Sequence, residues 1–186
     1  MTMTKYLTFA TITILLSSCY LTREYPVEYD YKFLGEFEKY ESFSFVNAEN
    51  IFDTATDELI KSTIRNHLEL LGYTYEPNSS KFLVNYFYFN DSLNYKGYKQ
   101  PEMATFIKLK NKEEKQKEEY KKQEFPISDG TFVINFTDKE DYSMIWQGYT
   151  TDLYKDRIFE DPRKTRIAVI SILKEYSYLP ERKNYK

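Results

Sequence analysis

The acidic cluster Asp138, Glu140 and Asp141 is the first place in this sequence to look for chemistry. Closely spaced carboxylates can hold calcium or do acid–base work on a glycan. A calcium loop needs ligands at alternating positions, a Gly for the sharp turn and a closing Glu. Here Tyr142, Ser143 and Met144 follow, so the cluster reads as a polar hairpin turn. Asp152, Asp156, Glu160 and Asp161 form a second acidic group, which reads as loop polarity and helix capping. A carboxylate hydrolase built from such residues would need two carboxyls facing each other across roughly 5–10 Å. His67 is the one His, and Cys19 the one Cys. One His cannot build a His-rich metal site, and with the Cys19 thiol taken by lipid, as argued next, no free thiol is left for a Cys–His pair. A Ser-His-Asp triad would have to use His67, and no nucleophile-elbow pattern accompanies it. The Gly residues are scattered rather than gathered into a phosphate-cradling loop. These readings predict no catalytic residue, no metal site and no small-molecule cofactor.

Cys19 is the residue with a specific chemical prospect. Lys5 precedes an uncharged, mostly apolar run, Tyr6 to Leu16, and Leu16-Ser17-Ser18-Cys19 follows. A positive residue, a short apolar run and small residues before a cut describe a secretory signal. The run is well short of the roughly 20 residues a spanning helix requires. Leu-Ser-Ser-Cys resembles the lipobox of bacterial lipoproteins. That resemblance implies that a peptidase recognises Leu16, Ser17 and Ser18 and cuts before Cys19. It also implies that the Cys19 thiol carries diacylglycerol and that the new amino group is acylated. A single acyl chain binds a membrane only marginally, whereas two or more anchor stably. The expected organisation is a signal peptide over 1–18, a lipidated tether over 19–25 and one domain over 26–182. With Cys19 lipidated, no thiol is left for a disulfide, and the domain must hold by packing alone.

The formal net charge is −3, with both signs interspersed, which argues against nucleic acid as a partner. The 19 Tyr and 14 Phe read as strand aromatics rather than as a sticky surface.

The elements that must position these groups follow from periodicity. From Pro26, Val27, Tyr29 and Tyr31 alternate with Glu28, Asp30 and Lys32 as in a half-buried strand. A second extended stretch, Glu41 to Val46, puts Phe43 and Phe45 on one face. Leu59, Ile60, Ile64, Leu68 and Leu71 then follow at helical spacing, with Asp53 or Thr54 as cap and Gly72 as stop. On the polar face, Glu58 and Glu69 are placed to pair with Lys61 and Arg65. Lys81 to Phe89 is a strand with apolar residues on both faces, which predicts cover on each side. Lys108 to Glu124 contains seven Lys and five Glu with hardly any apolar stripe. It predicts a solvated helix or excursion, within a charged insertion over about 105–125. Gly130 to Asp152 is the clearest hairpin. Phe132, Ile134, Phe136, Trp146 and Gly148 form its expected core, with Trp146 packed beneath a helix rather than stacking a ligand. Asp161-Pro162 starts a second helix with Ile167, Ile170, Ile172 and Leu173 as its apolar face, and Pro180 ends the domain. The order ββαβββα predicts an α+β fold: a mainly antiparallel sheet of about five strands, two helices on one face, and the charged insertion.

Four segments resemble one family. They are Leu68 to Tyr73, Phe82-Leu83-Val84-Asn85-Tyr86, Gly130 to Asp138, and Ile145-Trp146-Gln147-Gly148. Together they are similar to the envelope lipoproteins grouped as domain of unknown function 4136, over roughly residues 27–180. The charged stretch 108–124 departs from that pattern. The resemblance implies an α+β lipoprotein fold and supplies no activity. The expectation is a non-enzymatic protein of the bacterial cell envelope, tied to the membrane by lipid on Cys19. It faces the periplasm from the outer membrane and binds or helps assemble another envelope component. The alternative is a lipid-anchored carboxylate hydrolase of envelope glycan. A third is a purely structural membrane-associated domain.

Overall fold

A computed structural model describes residues 25–32, 36–46, 52–90, 93–99, 102, 103, 107, 121–127, 130–151, 153 and 157–178. Leu16, Ser17, Ser18, Cys19, Pro180 and most of the charged insertion lie outside the described residues.

The strands are β1 (Val27–Tyr31), β2 (Ser42–Phe45), β3 (Thr74–Tyr75), β4 (Phe82–Phe89), β5 (Leu93–Lys99), β6 (Lys121–Ile127), β7 (Thr131–Asp138) and β8 (Met144–Thr150). The helices are α1 (Thr54–Leu71) and α2 (Pro162–Leu173), with short 3-10 turns at Phe37–Lys39 and Ile158–Glu160. The molecule is α+β. One six-stranded sheet runs in the order β1-β8-β7-β4-β2-β3, and β5 and β6 form a separate antiparallel ribbon.

All five expected strands form, and the sheet is mainly antiparallel, with a sixth strand and two parallel pairings. β2 runs parallel to both β3 and β4. The cause is α1, which carries the chain back to the end of the sheet where β2 began. The two-residue β3 is too short to show as a pattern. The ribbon was not expected: Lys121 to Glu124, read as part of a charged helix or excursion, is backbone-paired strand opposite Lys99 to Lys96.

Both helices begin and end by local chemistry. Asp53 caps α1, accepting from the amides of Ala55 and Thr56, each at 3.0 Å. At the other end Gly72 turns left-handed at φ 104, where a side chain would be strained. Arg65 pairs with Glu69 at 2.8 Å, while Lys61 chooses Asp57 at 2.7 Å rather than Glu58. Asp161 caps α2, with Pro162 at the first helical position. The buried residues of α2 are Thr165, Ala168, Val169, Ser171, Ile172 and Leu173, while Ile170 is exposed.

One core lies between the helices and the facing side of the sheet. Ile60, Ile64 and Leu68 of α1 meet Phe82, Val84, Phe132, Ile134, Phe136 and Trp146 there, all buried. Alternation along β7 puts Phe132, Ile134 and Phe136 inward and Val133, Asn135 and Thr137 outward. The opposite sheet face is more polar than β4 alone predicted. Asp30, Gln147, Asn135 and Asn85 make one row across four strands, and Leu83 and Phe87 beside it are half-buried.

Gly148 explains the Trp-x-Gly pattern. The Trp146 ring lies where a Gly148 side chain would stand, with the Ile172 methyl beside it. The missing Cβ is what lets α2 press onto the indole.

Candidate functional site

Asp138 is the organising residue of the best-formed polar site. It ends β7, and its carboxylate turns inward, 1% exposed. One oxygen, Oδ1, accepts from the amides of Glu140 (2.7 Å) and Asp141 (3.3 Å). The other, Oδ2, accepts from Lys39 Nζ (2.6 Å) and the Tyr40 hydroxyl (2.7 Å). Lys39 closes the first 3-10 turn and Tyr40 follows it. Thus one carboxylate shapes the β7–β8 turn and also ties it to a segment almost a hundred positions earlier.

The electrostatics follow from this geometry. Burial alone would raise the Asp138 pKa. Lys39, Tyr40 and the two turn amides outweigh that and hold the carboxyl well below the usual carboxylate range. The bond to Asp138 raises Lys39 in return, and burial together with that carboxylate raises Tyr40. Beside this network lies a cleft of about 180 Å³, lined by Lys39, Tyr40, Lys81, Asp138 and Glu140.

The turn is strapped from both flanks. Lys139 donates from its amide to the Lys81 carbonyl at 3.2 Å and from Nζ to the Asn78 carbonyl at 3.0 Å. On the other side Lys32 reaches Ser143 Oγ at 2.7 Å and Asp141 at 3.5 Å. Tyr142 stands at the tip with φ 55 and is 73% exposed. That backbone region disfavours any residue with a Cβ.

A second carboxylate is used in the same way. Asp57, buried in the first turn of α1, accepts from the Tyr86 hydroxyl of β4 and from Lys61. Two Asp–Tyr–Lys clasps therefore join elements distant in sequence. Neither was visible beforehand, because Tyr40 and Asp138 are 98 positions apart and no local spacing marks them.

The other expected residues fall as follows. Asp138, Glu140 and Asp141 do sit together in a hairpin turn. Glu140 is exposed, and Asp141 is held by Ser143, which lowers its pKa. Trp146 is buried against Phe136 and Tyr176, with ring centroids 4.9 and 5.4 Å away. Its indole N–H has no hydrogen-bond partner. Phe132, Ile134 and Phe136 line the core with it. His67 flanks α1 beside the end of α2, and burial there lowers its pKa. Among the described residues, no group of three or more His, Cys, Asp or Glu is placed to hold a metal. Among them also, no helix is long and apolar enough to cross a membrane.

The fold and site together define a small α+β domain whose main polar cluster fastens its own turn. Its family follows from comparison with known proteins. The family model described as "Domain of unknown function (DUF4136)" matches residues 27–177, and the chain belongs to that family. Among solved structures, the fold is similar to a PDZ domain protein from Parabacteroides distasonis, at 18% identity and a TM-score of 0.55. That match covers 83% of this chain and 36% of the other, so this chain spans about a third of that protein. A PelC dodecamer from Paraburkholderia phytofirmans matches at 10% identity and a TM-score of 0.44, over 84% of this chain and 98% of that one. No curated protein matches the sequence.

Proposed function

We propose that this protein is a non-enzymatic, lipid-anchored component of the bacterial envelope that binds or helps assemble another envelope component. The observation that carries the anchor is Leu16-Ser17-Ser18-Cys19, placed directly after an apolar run headed by Lys5. Lipid on Cys19 would hold the domain at the outer membrane, facing the periplasm.

The use of the carboxylates supports binding over catalysis. A glycan hydrolase needs one carboxylic acid whose pKa is raised, so that it keeps a proton to give away. The best-placed carboxyl here, Asp138, is shifted the opposite way, and both its oxygens already accept from Lys39, Tyr40 and the turn. It is a clasp rather than an acid.

The test is metabolic labelling with a radiolabelled fatty acid in cells expressing the wild type and Cys19→Ser. The wild type should take up label and sediment with the outer membrane, and the mutant should do neither. Equal labelling of the mutant would refute the anchor. Crosslinking in intact cells, followed by capture of the domain, should return a recurrent envelope protein.

A further inference from the structure

We propose that the cleft bounded by the Phe37–Lys39 turn, the start of β4 and the β7–β8 tip binds a small zwitterion, one carboxylate and one ammonium on a frame of amino-acid size. The inference deepens the reading of the domain as a binder by naming a ligand class, and it does not depend on lipid at Cys19.

Charge accounting within the cleft selects the class. Its lining residues include two lysines, Lys39 and Lys81, and two acidic residues, Asp138 and Glu140. Lys39 and Asp138 spend their charges on each other at 2.6 Å. Lys81 and Glu140 are both exposed, and neither side chain has a hydrogen-bond or ion-pair partner among the described residues. One residue with an unmatched positive group and one with an unmatched negative group therefore border the same small space. A simple anion would gain Lys81 and meet repulsion from Glu140, and a simple cation would suffer the reverse. A neutral ligand would leave both unmatched. A zwitterion satisfies both, the arrangement by which charge complementarity confers specificity.

The backbone that carries these two side chains is held in place before any ligand arrives. Glu140 is fixed through its amide to Asp138, and Lys81 through its carbonyl to the Lys139 amide. Lys139 Nζ adds a strap to Asn78. Preorganisation of this kind lowers the ordering cost of binding. The volume of about 180 Å³ is below that of drug-sized sites, which suits an amino acid or a peptide end. Tyr142, two residues beyond Glu140, supplies exposed aromatic surface at the same tip.

The experiment is a heteronuclear NMR titration of the full-length protein in detergent, with alanine as the probe. Acetate, ethylammonium and inorganic phosphate serve as single-charge controls. Alanine should shift the amides of Lys81, Glu140 and Tyr142 saturably, with a Kd of about 1 mM. Each control should bind at least about tenfold more weakly. Lys81→Gln and Glu140→Gln, both at exposed positions, should each weaken alanine at least about fivefold while leaving the rest of the spectrum unchanged. The proposal is overturned by unsaturable shifts, by phosphate or acetate matching alanine, or by either variant binding as the wild type does. If alanyl-alanine is added and recovered cleaved, the non-enzymatic reading fails instead. Loss of alanine binding alone leaves the fatty-acid result at Cys19 untouched.

Discussion

Gly148→Ala tests the packing of α2 on the sheet. A Cβ there would lie 2.5 Å from Trp146 Cη2, 2.8 Å from Trp146 Cζ2 and 2.7 Å from Ile172 Cγ2. Carbon atoms prefer separations of roughly 3.5–4.0 Å, so each approach is too short by about 1 Å. Neither neighbour can easily yield. Trp146 and Ile172 are fully buried, and the rings of Phe136 and Tyr176 pack against the indole. Forcing a methyl into such a core costs about 1–3 kcal/mol. Replacing Gly also restricts the unfolded chain, which returns roughly 0.4–1 kcal/mol. The net expectation is a loss of about 1–2 kcal/mol, or a fall in Tm of roughly 3–6 °C for a domain of this size. Urea and thermal unfolding followed by far-UV circular dichroism measure it. A double-mutant cycle isolates the cause. Trp146→Phe removes Cη2 and Cζ2, and with them the indole N–H that has no partner. In that background the added methyl should cost at least about 0.5 kcal/mol less than in the wild type. An unchanged or raised Tm for Gly148→Ala would refute the reasoning, as would an equal cost in both backgrounds.

Asp138→Asn should weaken the protein at neutral pH and flatten its acid limb. The folded-state pKa lies below the ordinary 3.8, so the carboxylate's contribution is complete above that value and fades as pH falls toward the folded one. Breaking a fully buried pair costs about 3–5 kcal/mol, but Lys39 is 47% exposed, so about 2 kcal/mol is expected here. Urea midpoints from pH 7 to pH 2 should converge for wild type and mutant, and parallel curves would contradict the clasp. Tyr142→Gly relieves a left-handed side-chain penalty of about 1–2 kcal/mol and adds unfolded-state freedom worth roughly 0.5–1 kcal/mol. The variant should be about 0.5 kcal/mol more stable, because the ring is mostly exposed and little burial is lost. Measurable destabilisation would show that the ring packs on something the φ angle does not reveal.

The amino-acid order by itself determined what is written within a few residues. Asp53 and Gly72 mark the ends of α1, and Asp161-Pro162 opens α2, because capping depends on backbone groups within one turn. Alternation along Phe132, Ile134 and Phe136 determined which side of β7 is buried, because successive strand side chains face opposite ways. The Asp138 cluster was legible as a turn because its run of polar residues interrupts two alternating strands. Only the tertiary structure decided that β2 runs parallel to β4, since a helix between two strands is compatible with more than one return path. It alone showed the backbone pairing of β5 with β6, where the charge-rich sequence has no apolar stripe to announce a strand. It alone brought Lys39 and Tyr40 to Asp138 and left Lys81 and Glu140 unpaired in one cleft. Those contacts join residues up to 99 positions apart. Their strength comes from burial and from the order in which the strands stack, and neither quantity exists until the chain has closed on itself.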